Sequence, residues 1–288
     1  MSYAQKACSL KFNVFNMTTT FPWYDSPWLY AFTQAKAIIQ QHHPERLSAF
    51  IAAFEPLRTR PDYAVVDCPQ LLSPERLTEI RAIIQEISSR EFEKQELFSF
   101  GRLVVHDLPY FTQLQEELTA YVSACVGEAV EPWYNFLSLY NNLGVCKIHM
   151  DAPSAKWTLD ICLDQSAVWP IHFSQIVPWP EDFAYTGADW EAHIKKDLGN
   201  RFTSYELTPG NGIIFSGSSQ WHYRDRIMRV TKENFCHLLF LHYIPKGTRA
   251  LTSPKKWAAH FGIPELAVLR EGSERVTTEL EDLFDQHQ

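Results

Sequence analysis

His149-Met150-Asp151 places an imidazole and a carboxylate two residues apart at the end of a β-rich run, VCKIHMD. Strand side chains alternate with period two, so residues 149 and 151 project to one face. Seventy-one residues further on, His222 follows a turn and an apolar strand in TPGNGIIFSGSSQWHYRD. Two imidazoles and one carboxylate can occupy one face of an octahedral iron(II) ion and leave three adjacent positions open. An H-x-D pair alone is common by chance. Its combination with a Pro-Gly turn, a core strand and a distal histidine marks His149, Asp151 and His222 as a candidate metal set.

The elements that must carry these residues are legible in the periodicity. From Pro27 to about Ala53, Leu29, Phe32, Ala35, Ile38 and Ile39 recur at helical spacing, with Pro44 dividing the stretch. Ser73-Pro74 offers an N-cap with proline in the first turn, followed by a stripe of Leu77, Ile80, Ile83, Ile84 and Ile87. A third helix begins near Pro109 and stops at Gly127. Beyond it come short β-rich runs separated by turn residues: WYNFLSLY, VCKIHMD, KWTLDICL and VWPIHFS, then FTSYEL, GIIFSG, SQWHYR and NFCHLLFLHYI. A polar insertion from Val177 to Asn200, with a short helix, separates the two groups. The pattern predicts an α+β chain with a double-stranded β-helix (jelly-roll) core. One domain is expected over residues 1–288, with a helical N-terminal region (residues 1–130) packing on the jelly-roll core (131–250) and a short helical tail (251–288).

The order H-x-D, P-G-x-x-x-x-F and distal His on such a core resembles the iron(II)/2-oxoglutarate-dependent dioxygenase superfamily, over about residues 133–245. The resemblance implies Fe(II) held by His149, Asp151 and His222, with 2-oxoglutarate and O2 as cosubstrates. It implies hydroxylation of an unactivated C–H bond with release of succinate and CO2. The presence of Asp151 is similar to the hydroxylases and desaturases rather than the halogenases, which carry Gly or Ala there. Tyr140, nine residues before His149, is similar to a tyrosine of the prolyl-hydroxylase branch that contacts the cosubstrate. A basic residue is also implied for the distal carboxylate of 2-oxoglutarate, because a buried carboxylate must be paired. Arg224 and Lys232 are both candidates, with His237 an outsider. The segment from Trp179 to Asp197 is the candidate lid. The remaining histidines, His42, His43, His106, His172, His193, His242, His260 and His287, show no ligand spacing and are expected to satisfy local hydrogen bonds.

Composition narrows the partners. With 26 Lys+Arg against 34 Asp+Glu the net charge is −8, which disfavours nucleic acid and anionic membrane surfaces. No apolar run approaches the roughly 20 residues that span a bilayer, and the first residues lack a secretory pattern, so a cytoplasmic protein is expected. The six cysteines are scattered without C-x-x-C spacing and read as free thiols. The expected substrate is a small molecule such as an amino acid or biosynthetic intermediate. Alternatives are a protein or peptide hydroxylase of the same superfamily, a cupin-type metal enzyme not using 2-oxoglutarate, and a non-catalytic jelly-roll binding protein. Nothing in the sequence marks the oligomeric state.

Overall fold

The computed structural model describes residues 26–180, 189–230 and 232–269. Its helices begin and end where local chemistry directs. Helix α1 (Ser26–His42) stops before Pro44, which opens a short 3-10 turn leading into α2 (Leu47–Ala53). Helix α3 (Pro74–Glu86) is capped by Ser73, whose hydroxyl accepts from the Arg76 amide at 3.2 Å. Helix α4 (Pro109–Val126) ends at Gly127 in the left-handed region, φ 73°.

All eight strand segments read from the sequence are present: β3 (Val130–Tyr140), β4 (Cys146–His149), β5 (Trp157–Gln165), β6 (Ile171–Ser174), β7 (Phe202–Tyr205), β8 (Gly212–Phe215), β9 (His222–Arg224) and β10 (Cys236–Pro245). Two further strands, β1 (Val66–Cys68) and β2 (Arg102–His106), come from the region expected to be helical. They are short, and they form because each lies along an existing sheet edge: β1 pairs with β8 and β2 with β3. The sheet therefore does not begin at residue 131. It recruits residues 66–68 and 102–106, and the second of these contributes directly to the site.

The ten strands make two antiparallel sheets, one of six in the order β1-β8-β5-β10-β3-β2 and one of four in the order β4-β9-β6-β7. Two sheets packed face to face with these crossings are the expected jelly roll. β2 and β4 are outer strands of their respective sheets.

Behind the smaller sheet lies an aromatic core built from distant segments. Trp28 and Phe32 of α1, Phe50 of α2, Phe54, Trp179 from the insertion, and Trp257 of α6 (Trp257–Phe261) pack mostly edge to face, with ring centroids about 5 to 6 Å apart. Ile148 and Met150 belong to the same cluster. The alternation along β4 thus sends residues 148 and 150 into the helical core, while 149 and 151 face between the sheets. Helix α5 (Trp190–Lys196) is the short helix expected in the insertion. Residues 181–188 of the candidate lid, Cys8, His287 and the tail beyond Leu269 lie outside the described residues. No helix among the described residues is long and apolar enough to cross a membrane.

Candidate metal centre and cosubstrate cavity

His149 on β4 and His222 on β9 are directly opposed across the ladder, with ring centroids 4.2 Å apart. Asp151 follows immediately after β4. His149 Nε2 lies 3.4 Å from one of its carboxylate oxygens and His222 Nε2 3.8 Å from the other. One ligand atom from each of the three side chains falls within 4.8 Å of the others. Among the described residues this is the one cluster that could hold a metal ion.

The imidazoles are oriented for the task. His149 Nδ1 is 2.7 Å from the Lys147 carbonyl and His222 Nδ1 3.0 Å from the Gln220 carbonyl. A carbonyl only accepts, so each Nδ1 carries a hydrogen, and each Nε2 is the ring nitrogen directed at the common point. Burial lowers His222 to about 4, with His149 adding to the effect, so its imidazole is neutral at pH 7. Burial works to raise the Asp151 carboxyl, but the two imidazoles outweigh it and hold the group well below the usual carboxylate range. His149 is held the other way: burial works to lower it, but Cys146 and Asp151 raise it well above the ordinary imidazole range, so a metal binding here would displace a proton from it, whereas His222 is already neutral and Asp151 already ionised.

The backbone around Asp151 leaves no slack. Its amide donates to the Gly217 carbonyl at 2.9 Å. A Cβ placed on Gly217 would stand 2.2 Å from an Asp151 carboxylate oxygen and 2.6 Å from the Ala155 carbonyl. The glycine is required by close approach, and the loop after β8 acts as a cradle for the ligand. A Gly217→Ala variant is expected to push Asp151 out of position and weaken metal binding at least tenfold, with a stability loss of about 1–3 kcal/mol from overpacking. Metal titration followed by calorimetry, together with urea unfolding, checks this.

The triad faces a cavity of about 200 Å³ between the sheets, lined also by Arg102, Tyr140, Cys146, Arg224 and His242. A β-bulge between Cys146 and His149 brings both onto the cavity face, although they are three residues apart. Along one wall Tyr134, Phe136, Phe240 and His242 form a nearly parallel ladder of rings, Tyr134 and His242 being 4.2 Å apart.

Each residue expected to bind the cosubstrate has a definite place. Tyr140 is 2% exposed, lines the cavity and accepts a hydrogen bond of 2.8 Å from Arg102 Nη1. Burial raises its pKa, so the phenol is protonated. Arg224 also lines the cavity, but both of its terminal nitrogens are committed, one to the Trp169 carbonyl and the other to Asp160 at 2.7 Å. Lys232 is not brought to the site. It lies exposed in the loop between β9 and β10, outside the cavity lining, because that loop is held to the surface by Asn142 bonded to its carbonyl at 3.3 Å. His237 does not line the cavity either.

Arg102 is the residue that sequence reasoning missed. It is 8% exposed, and on β2 it sits in register with Tyr140 on β3. Its guanidinium donates to Glu96, to Ser138 at 3.3 Å and to Tyr140, leaving Nη2 without a partner among the described residues. The one local signal is an arginine opening the apolar run RLVVH just after a glycine. Gly101 has φ 69°, and a Cβ there would lie 2.3 Å from the Leu143 backbone, so it sets the entry of β2 against the loop after β3.

His242 departs from the expectation that the other histidines only satisfy local bonds. Its Nδ1 meets the Thr158 hydroxyl at 3.0 Å, but its Nε2 is buried with no hydrogen-bond partner among the described residues. Burial lowers its pKa to about 4, against the pull of Asp151, from an ordinary 6.5. Between these values the unfolded chain binds a proton that the folded chain refuses. The stability contribution is therefore whole above pH 6.5 and falls away as the pH drops toward 4, by about 3 kcal/mol. A His242→Phe variant retains the ring ladder and is expected to show a correspondingly shallower loss of urea stability between pH 7 and pH 4.

No protein-family model and no curated protein matches the chain. Solved structures are similar to it at low identity. The non-heme α-ketoglutarate-dependent epimerase SnoN from nogalamycin biosynthesis aligns with 71% of this chain and 87% of its own, at 14% identity and a TM-score of 0.49. An oxidoreductase of the 2OG-Fe(II) oxygenase family from Burkholderia pseudomallei aligns with 62% and 84%, at 12% identity and a TM-score of 0.43. A prolyl-4-hydroxylase from Pseudomonas putida aligns with 63% and 93%, at 9% identity and a TM-score of 0.45. At such distances the chemistry of this chain is read from its own side chains.

Proposed function

We propose that this protein is an iron(II)- and 2-oxoglutarate-dependent oxygenase that hydroxylates a C–H bond of a small molecule, with release of succinate and CO2. The observation that carries the reading is the sharing of one cavity by the His149, Asp151 and His222 set and the buried Arg102–Tyr140 pair. A cupin-type metal enzyme without 2-oxoglutarate has no use for that pair.

The donor set suits iron(II), with two imidazoles and one carboxylate on one side. Bound there, the metal supplies dioxygen activation and oxidative decarboxylation of the 2-oxo acid, chemistry that no side chain here can perform. The chain's own residues do the positioning. Arg102, with an Nη2 that makes no bond among the described residues, and Tyr140, with its protonated phenol, offer two donors to the distal carboxylate of 2-oxoglutarate. Glu96, at the cavity edge and one-fifth exposed, can exchange its place on Arg102 for that carboxylate. The ring ladder from Tyr134 to Phe240 keeps that wall dry, which strengthens each of these contacts. A cavity of about 200 Å³ suits small acids, which supports a small-molecule substrate, with the protein or peptide hydroxylase as the lesser reading.

The deciding measurement is anaerobic titration of the purified chain with Fe(II) and then 2-oxoglutarate, watching for the weak visible charge-transfer band of the chelate. A band absent from His222→Ala supports the proposal, and succinate release then serves to screen substrates. Iron binding with no band on adding 2-oxoglutarate would favour the cupin-type reading. Product mass separates hydroxylation, which adds one oxygen, from epimerisation or ring closure.

A further inference from the structure

The Arg102 guanidinium already holds a carboxylate that belongs to this chain. Its Nε donates to Glu96, and both residues line the cavity. Its Nη1 is committed to the hydroxyls of Ser138 at 3.3 Å and Tyr140 at 2.8 Å. The ring centroids of Phe100, Phe136 and Tyr140 lie 5.1, 5.4 and 5.5 Å from the guanidinium carbon. Arg102 is therefore fixed by its strand, by two hydroxyls and by three rings.

Glu96 is the movable partner. It lies in the turn before β2, and its side chain is 21% exposed against 10% for that of Arg102. The backbone of that turn is tied down. Glu93 and Val104 exchange bonds of 2.8 and 3.3 Å, the Glu96 carbonyl accepts from the Phe100 amide at 2.9 Å, and the Phe100 carbonyl accepts from the Val145 amide at 3.0 Å. Rotation about the Glu96 side-chain bonds is enough to take the carboxylate off Arg102 and into water. A buried guanidinium without a counter-charge is costly, and Glu96 supplies that charge. An incoming carboxylate offers the same charge-assisted bond. Two carboxylates on one guanidinium in a low-dielectric cavity repel each other, so one leaves, and Glu96 is the one with a path to solvent.

We propose that Glu96 is a built-in competitor for the carboxylate seat on Arg102, which an acid occupies only by displacing it. Exchanging one carboxylate for another gains little by itself, so a simple monoacid is held weakly. An acid with a second anchor on the His149, Asp151 and His222 set clears that threshold. The ligand class selected is a short diacid or oxo diacid that spans from this set to Arg102. Identification of that acid as 2-oxoglutarate rests on the oxygenase reading; the competition itself does not.

The test compares the full wild-type chain with Glu96→Gln and Glu96→Asp in two titrations. Glutarate binding to the metal-free protein is measured by calorimetry, and the 2-oxoglutarate midpoint of the charge-transfer band is measured with Fe(II) loaded. Gln keeps the shape but makes only a neutral bond, and Asp keeps the charge on an arm too short for the fixed Arg102. Both variants are expected to bind both acids more tightly by one common factor, about tenfold for Gln, the lower end of what a charged hydrogen bond is worth. An effect of charge alone would tighten Gln and leave Asp at the wild-type value, and that result would overturn the proposal. A second readout is the Arg102 Nε–H signal of 15N-labelled protein, assigned by its loss in Arg102→Lys. Wild type and Glu96→Gln are expected to differ before titration and to coincide at saturation with glutarate, because Glu96 has then left. Signals that stay apart at saturation, or no saturable glutarate binding to Glu96→Gln, would also overturn it. A normal band with unchanged midpoints removes the competitor and leaves the oxygenase reading intact. Tightened glutarate binding with no band in any variant does the reverse.

Discussion

An Asp151→Ala variant is expected to lose iron(II) affinity by more than about 100-fold and to release no measurable succinate. Even the outer partners of metal ligands are worth 10–100-fold in affinity, and Asp151 is the only carboxylate in the cluster. Its negative charge, within the cluster itself, would offset that of the metal. The fold is expected to survive, because the position is held by backbone: the residue 151 amide bonds the Gly217 carbonyl, and Ile148 and Met150 anchor β4 from the other face. The side chain itself is small and 12% exposed, so its removal opens little cavity. Anaerobic equilibrium dialysis against Fe(II), with thermal unfolding as control, separates lost affinity from lost structure. Wild-type turnover in this variant would remove the triad from the mechanism.

The second large effect separates the basic residues. Arg102→Gln is expected to weaken 2-oxoglutarate binding by about 100-fold or more, since removing one partner of a buried charge pair costs about 2–5 kcal/mol. Its stability loss is smaller, because Glu96 is 21% exposed and can turn to water. Arg224→Gln is expected to behave in the opposite way. Asp160 is fully buried and its only ion-pair partner among the described residues is Arg224, so the variant strands a carboxylate and loses about 3–5 kcal/mol in urea unfolding. Lys232→Ala is expected to change neither, as its side chain is in solvent. The three variants are read in parallel by the midpoint of the 2-oxoglutarate band and by denaturant midpoints. A Lys232→Ala variant that weakens the cosubstrate while Arg102→Gln does not would overturn the assignment.

The metal set and most of the architecture are legible in the chain itself. His149 and Asp151 are two residues apart and share a face through strand periodicity alone, and His222 is delivered by a turn and an apolar strand whose composition is unambiguous. Ser73, Pro44 and Gly127 mark helix boundaries by chemistry that acts within one turn. What is local in the chain is read locally.

The remaining features depend on contacts between residues far apart in sequence. β1 and β2 carry weak signals of their own and exist because sheet edges accept them, and with β2 comes Arg102, whose role depends on a Tyr140 that lies 38 residues away. Arg224 and Lys232 look alike in sequence. Only the packing of β9 against β5 and of the following loop against Asn142 sends the first to Asp160 and the second to water. Gly217 is required by an Asp151 that reaches it across a loop, and the paired indoles converge from residues 28 and 179 through the aromatic core. The reason is the same in each case. Periodicity specifies which way a side chain faces, but whether a buried polar group there is satisfied, neutralised or left to bind a ligand depends on the opposing surface, and that surface exists only once the two sheets and the helical layer have closed.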